Sequence, residues 1–342
     1  MYPLTARSLG SLAPFFLAAL AGCALAPPPI PTPAPAPAPV AKPAVVLPSA
    51  QVDRGVQIVL PDTVLFESSK GARADAPRVA LVLGSGSARG FAHINVIKAL
   101  EAAKIKLDLI VGTSAGALIG AFYAAGFTGT QIEDLALKVK DIDIVDMASD
   151  TKRGMVMGDT LQTFVNRATR DKPIELLGIP FIAVATKLRT GELATFRSGD
   201  LGLAVRVSCS VPSVFIPPKI DDTDYVDGRL VSPVPERIAR DAGAYFVIAV
   251  DVRSGPLNTT PVGIYEQVMH SFKITGRSLA KLEADQADVV IRPDLVRLAS
   301  TDFSSRAAFI QIGQSAGTRF APVTQDKLAL WRATKERAER TL

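Results

Sequence analysis

Ser114 is the residue whose neighbours invite chemistry. It is the centre of Gly112-Thr113-Ser114-Ala115-Gly116, a G-x-S-x-G pentapeptide. The apolar run from Leu109 to Val111 before it reads as a buried strand. The small or apolar residues 117–125 after it suit a buried helix, with Gly126 placed to cap it. A serine on such a strand-to-helix elbow has a strained backbone and a hydroxyl raised above the sheet. Gly112 and Gly116 avoid the collision that side chains there would make with the adjoining strand and helix. The helix N-terminus also favours negative charge developing at the hydroxyl. Alone, the pentapeptide fits a plain tight turn equally well. A nucleophilic serine also needs a proton acceptor and an oxyanion hole.

The sequence supplies candidates for both. Val79 to Leu83 reads as a buried strand, followed by Gly84-Ser85-Gly86-Ser87-Ala88-Arg89-Gly90. A helical pattern follows from Phe91 to Ala103, with Ile94, Ile97, Leu100 and Ala103 recurring on one face. Glycines between a strand and a helix let backbone N–H groups face an anionic oxygen. They could cradle a dinucleotide or form an oxyanion hole. The third glycine of a dinucleotide fingerprint falls one residue late, at Gly90, and the next strand runs into the serine elbow, which favours the oxyanion hole. Arg89 would brace the loop, face a substrate phosphate or form a surface ion pair. The base candidate is Asp227 in Tyr225-Val226-Asp227-Gly228-Arg229. An Asp-Gly pair at a strand end is usually only a turn; the company of the elbow and the glycine loop raises it to a base.

His93 and His270 are the only histidines, so a Ser-His-Asp triad would have to use one of them. His93 falls in the helix after the glycine loop and reads as structural; His270 lies in no motif. Two histidines are too few for a His-rich metal site. Cys23 and Cys209 lie far apart and indicate no disulfide framework; Cys209 reads as a small packed residue.

These residues need a large core to position them. The chain has 342 residues, 48% hydrophobic and only 6% aromatic. That composition suits a sheet of Ala, Val, Leu and Ile buried on both faces. The net charge of +5 suits an anionic surface or an ordinary basic protein, and no cluster of Lys and Arg points to nucleic acid.

Residues 1–22 read as a secretory leader: Arg7, then a short apolar core from Leu12 to Ala21. Leu20-Ala21-Gly22-Cys23 resembles the bacterial lipobox, which implies lipidation of Cys23 and, with Ala24 next, the periplasmic face of the outer membrane of a bacterial envelope. An ordinary cleavage site or an uncleaved anchor are the alternatives. Residues 23–50 read as a lipidated Cys and Pro/Ala-rich tether, which in a polyproline conformation would reach about 3.1 Å per residue. Residues 51–77 read as a strand extension, with a hairpin over 56–66.

The main domain spans 78–320, followed by a C-terminal helix over 321–342. Thr130 to Glu133 fits a capping box. Met147, Met155 and Met157 fill core or line a lipid-accessible groove. Strands are expected over 179–186, 193–196, 246–251 and 287–292, with helices over 262–286, 309–317 and 327–340. Trp331 on the last reads as packed. Strands alternating with helices predict a three-layer α/β domain with a largely parallel central sheet between helices.

The order of these motifs resembles the patatin-like phospholipases: Gly84 to Gly90, Gly112 to Gly116 and Asp227-Gly228. Phe91-Ala92-His93-Ile94, Ala185-Thr186 with Thr190-Gly191-Glu192, and Ser208 to Pro217 are also similar to that family. The resemblance runs from about Arg78 to Phe303. It implies a modified α/β-hydrolase-type fold and a lipid acyl hydrolase with a Ser–Asp dyad, without histidine or cofactor. By motif position Ser114 is the nucleophile and Asp227 the base. Gly86 and Ser87, with the Arg89 loop, would form the oxyanion hole, and membrane phospholipid or another acyl ester would be the substrate. Two residues depart from the family pattern. Arg229 replaces a small residue and would lower the basicity of Asp227 or recruit an anionic headgroup; Lys187 stands where relatives often carry an acid. Two other functions compete: a non-catalytic envelope lipoprotein holding a lipid or partner, and a nucleotide-binding α/β protein.

Overall fold

Short unbroken runs of Val, Leu, Ile and Ala leave a strand with no polar face, so such strands need cover on both sides. In the computed structural model, which describes residues 58–59, 79–149, 152–253 and 260–339, they receive it. The elements in order are β1 (Ile58–Val59), β2 (Val79–Leu83), α1 (Ala92–Ala102), β3 (Leu109–Thr113), α2 (Ala115–Ala124), α3 (Gly129–Lys138) and α4 (Asp159–Thr169). Next come β4 (Phe181–Lys187), β5 (Leu193–Phe196), α5 (Leu201–Cys209), β6 (Lys219–Ile220), β7 (Thr223–Asp227) and α6 (Glu236–Asp241). The chain continues through β8 (Phe246–Val250), α7 (Ile264–Ala284), β9 (Val289–Ile291) and α8 (Arg306–Glu339).

The sheet order is β1-β5-β4-β3-β2-β8-β9. Strands β4, β3, β2, β8 and β9 are mutually parallel, while β5 and β1 add an antiparallel edge. The pleat sends alternate residues to opposite layers. Val79, Leu81 and Leu83 join a core with Ile97, Phe122 and Phe309. Ala80 and Val82 join a second core with Ile238, Ala239, Ala280 and Ala284 of α6 and α7. The expected three-layer, mostly parallel α/β architecture is therefore present. Each fully buried Leu or Ile contributes about 2 kcal/mol to it.

Several local expectations are corrected. The α3 capping box belongs to Thr128 rather than Thr130: its hydroxyl accepts from the Gln131 amide at 3.2 Å, and Gln131 Oε1 accepts from the Thr128 amide at 2.9 Å. Glu133 instead pairs with Lys98. Helix α5 lies where no helix is expected; Asp200 caps it by accepting from the Leu203 amide at 2.9 Å. The helices expected over 309–317 and 327–340 are one helix, α8, with Pro322 inside it. Proline deletes an amide donor there, but buried Phe309, Ile310, Ala316, Ala321 and Leu328 hold both halves against the body. The boundary expected at 320/321 falls inside this helix.

Met147, Met155 and Met157 are exposed at 67%, 44% and 37%, neither core nor groove lining, because Ile144, Val145 and Phe215 of the same region take the inward positions. Trp331 packs against Phe246, with ring centroids 6.1 Å apart. Strand β1 pairs antiparallel with β5; the rest of the hairpin expected over 56–66 lies outside the described residues, as do the leader, Cys23 and the tether. Among the described residues no helix is long and apolar enough to cross a membrane.

Candidate active site

Ser114 and Asp227 are brought together by the two strands that share one edge of β4. On that edge Thr113 of β3 pairs with Val184, and Asp227 of β7 pairs with Ala185. The other edge of β4 is taken by β5. Strand β3 therefore runs up one lane of the sheet and β7 runs down the same lane to meet it. Ser114 Oγ donates to Asp227 Oδ2 at 2.7 Å. The second carboxylate oxygen, Oδ1, accepts from the Arg229 amide at 2.8 Å. Both residues are buried, Ser114 at 5% exposure and Asp227 at 0%.

The elbow has the strained backbone that the pentapeptide predicts: φ 57° and ψ −125° at Ser114, directly before α2. A Cβ on Gly116 would lie 2.0 Å from the Leu83 carbonyl oxygen, and one on Gly112 would lie 2.6 Å from Ala117 Cα. The turn is possible only with glycine at both positions. Gly228 meets a similar demand, since its Cβ would come within 2.3 Å of the Val184 oxygen. Ser208, on α5, accepts from the Ser114 amide at 2.8 Å and donates to the Val184 carbonyl at 2.6 Å. Thr186 Oγ1 donates to the Asp227 carbonyl at 3.0 Å.

The glycine loop lies between β2 and α1. The amides of Gly84, Ser85, Ala88 and Arg89 are committed to the carbonyls of Val250, Pro233, Ser300 and Gly86. Those of Gly86 and Ser87 have no acceptor among the described residues, so the loop offers two adjacent free donors. Ser87 has φ 50° and borders the same cavity as Ser114. Arg89 offers no free amide. Its guanidinium braces the loop instead, with Nε and Nη2 donating to the Leu298 carbonyl at 3.3 and 3.0 Å. His93 is a structural support: Nε2 donates to the Gly84 carbonyl at 2.8 Å. Burial pushes its pKa down to about 4, so the ring is neutral. His270 lies on α7, outside this cluster.

A cavity of about 430 Å³ opens at Ser114, within the usual range for small-ligand pockets. Its lining is almost wholly aliphatic and aromatic, including Leu118, Phe122, Leu161, Phe164 and Phe303. Cys209 is also part of the lining, with its thiol against the Ser114 hydroxyl; it is not merely core filler. Burial and the nearby Asp227 push that thiol's pKa up.

Burial also raises the pKa of Asp227. Arg229, the Ser114 hydroxyl, the Arg229 amide and Arg253 oppose that shift without cancelling it. Arg229 thus lowers the basicity of Asp227, as its charge leads one to expect, but burial outweighs it. Lys187 bonds Glu192 at 2.9 Å across the β4–β5 turn. Among the described residues no group of His, Cys, Asp and Glu is placed to hold a metal ion. Sequence reasoning missed the roles of Ser208, Thr186, Cys209 and Arg253, which no motif spacing marks; Ser208 and Thr186 were visible only as members of longer similar stretches.

Fold and site together define a three-layer α/β protein with a serine on a strand–turn–helix elbow, bonded to a buried carboxylate. Residues 81–240 match the family model described as patatin-like phospholipase, so this part of the chain is similar to that family. The chain is 33% identical over 231 residues to patatin-like phospholipase domain-containing protein 6 of Homo sapiens and of Mus musculus, covering 65% of this chain and 16% of each relative. It is 34% identical over 185 residues to an uncharacterized NTE family protein of Mycobacterium tuberculosis, covering 52% of this chain and 50% of that one. The chain thus spans half or less of these relatives. Among solved structures, VipD from Legionella pneumophila aligns with a TM-score of 0.48 and 15% identity, over 82% of this chain and 72% of that one.

Proposed function

We propose that this protein hydrolyses acyl esters of membrane lipids, as a phospholipase A or lysophospholipase, through a Ser–Asp dyad and a covalent acyl-enzyme. The observation that carries this reading is the 2.7 Å bond from Ser114 Oγ to Asp227 at the mouth of an apolar cavity. The match of residues 81–240 to the patatin-like phospholipase family model supports it.

Asp227 accepts the Ser114 proton as Oγ attacks the ester carbonyl carbon. The oxyanion that forms is held by the Gly86 and Ser87 amides, where losing one donor costs about 10²–10³ in rate. The intermediate collapses, and the departing alcohol takes the proton from Asp227. Water then gives a proton to Asp227 and attacks the acyl carbon; Ser114 leaves with that proton, and the fatty acid is released. The raised pKa of Asp227 suits a base that must take a proton from a weakly acidic hydroxyl. The acyl chain lies in the cavity beside Leu118 and Phe164.

The test is turnover of nitrophenyl butyrate and of phospholipid by the wild type, Ser114→Ala and Asp227→Asn. Both variants are expected to lose at least 10³-fold in kcat with the fold intact. Wild-type rates in Asp227→Asn would overturn the assigned base. Absence of turnover in the wild type would favour a protein that only holds lipid. We further propose that Cys23 is lipidated and tethers the domain to the periplasmic face of the outer membrane. Incorporation of labelled palmitate, abolished in Cys23→Ala, is the expected result.

A further inference from the structure

We propose that Arg229, Arg253, Arg277 and Arg89 form an anion subsite beside the Ser114–Asp227 pair, which takes the phosphate of a lipid headgroup lacking an amine. This rests on the acyl-ester reading above. The topology collects the cations at one end of the sheet. Strands β3, β2 and β8 are parallel neighbours, and the segments leaving their C-terminal ends carry Ser114, Arg89 and Arg253. In open α/β sheets that end is where ligands bind. Arg229 is two residues from Asp227 and holds it through its backbone amide; among the described residues its guanidinium has no carboxylate ion pair.

Arg253 Nη1 donates to Ser85 Oγ at 3.1 Å, which fixes the guanidinium on the glycine loop. Helix α7 passes directly over it: a Cβ on Gly276 would lie 2.5 Å from Arg253 Nη2, and Arg277 follows. Arg277 in turn is close enough to depress Arg89 electrostatically.

The four arginines outnumber the carboxylates that act on them, Asp227 and Asp251. Among the described residues none of these arginines has a carboxylate ion pair, whereas Arg153, Arg206, Arg240 and Arg292 all do. Residues 252–265 contain no Asp or Glu. The acids the cluster does feel are already engaged: Asp227 by Ser114 and the Arg229 amide, Asp251 by Arg292 and the Arg253 amide. Burial together with Arg229 and Arg89 pushes Arg253 down to about 10, against the opposing pull of Asp227 and Asp251.

A phosphate supplies the missing charge, and arginine binds its oxygens in a planar fork. None of the cluster lines the apolar cavity. An ester at Ser114 therefore has its acyl chain on one side and the arginines on another. Choline or ethanolamine would bring a further cation into this field; glycerol would not.

The test uses the full-length protein in detergent micelles at pH 8, with phosphatidylglycerol, phosphatidylcholine and nitrophenyl butyrate as substrates. The expected wild type favours phosphatidylglycerol over phosphatidylcholine at least tenfold in kcat/KM. Arg229→Gln and Arg277→Gln should each lower the ratio of phosphatidylglycerol to nitrophenyl butyrate turnover at least tenfold, through KM, and Arg229→Lys should restore most of it. Nitrophenyl butyrate turnover with that ratio within twofold of wild type in both Gln variants overturns the subsite alone. Wild type without Ser114-dependent turnover of any ester overturns the acyl-ester reading, and the subsite with it. Inorganic phosphate that inhibits through Arg229, while both phospholipids are turned over alike, assigns the cluster to the free anion and overturns the headgroup.

Discussion

The Ser208 hydroxyl is wedged under the Ser114 amide, accepting from it at 2.8 Å, and donates its own hydrogen bond to the Val184 carbonyl at 2.6 Å. The strained elbow is thereby tied to β4, the strand that also carries Asp227 through β7. Ser208→Ala leaves a buried amide without a partner, at a cost of about 1–3 kcal/mol. The expected outcome is a lower urea midpoint and roughly a tenfold lower kcat on nitrophenyl butyrate. An unchanged midpoint and kcat would deny Ser208 this role.

The Gly116 position tolerates no side chain, because the obstacle is the backbone oxygen of Leu83 rather than a side chain that could turn away. Gly116→Ala is expected to cost about 3 kcal/mol or more by forcing β2 and α2 apart. Denaturant unfolding measures this directly.

Asp227 must be ionised to act as a base, and burial raises its pKa. The acid limb of kcat/KM on nitrophenyl butyrate should therefore lie above the usual carboxylate range. Arg229 opposes the rise, so Arg229→Gln should move the limb to still higher pH. A limb that moves to lower pH would contradict this electrostatic account.

Glu283 of α7 accepts from Ser232 Oγ at 2.6 Å and from the Val234 amide at 2.8 Å, in the segment that follows the Asp227 turn. Burial pushes its pKa from 4.5 up to about 7. The folded protein thus binds this proton more tightly than the unfolded chain. The resulting stabilisation is complete below about pH 4.5 and is lost as pH rises towards about 7. Glu283→Gln keeps an acceptor for Val234 and removes the titration. Thermal melts between pH 5 and 8 should show the wild type losing stability relative to the variant as pH rises.

Leu118 on α2 faces the cavity. Leu118→Trp should shorten the space for an acyl chain and lower the ratio of nitrophenyl palmitate to nitrophenyl acetate hydrolysis by about tenfold or more, since a close-packed wall has little room to yield. An unchanged ratio would place the chain elsewhere.

The amino-acid sequence alone determined what is local. The apolar runs of β2, β3 and β8 call for strands buried on both faces. Gly112 and Gly116 mark the elbow because only a residue without a side chain fits there. The alternation of strand and helix carried the layer architecture. It did not resolve α8, where side-chain packing outweighs the break that Pro322 signals. Nor did it place the Met residues, because composition does not say which way an irregular segment faces.

Only the tertiary structure decided that β3 and β7 share one edge of β4, setting Ser114 against Asp227 across 113 positions of sequence. Long-range register also put Ser208 beneath the elbow, Cys209 beside the hydroxyl, and arginines from separate segments around one carboxylate. Periodicity tells each strand which faces to bury, but neighbours are chosen by the collective packing of the sheet. A shift of one residue in that pairing would turn Asp227 to the opposite face.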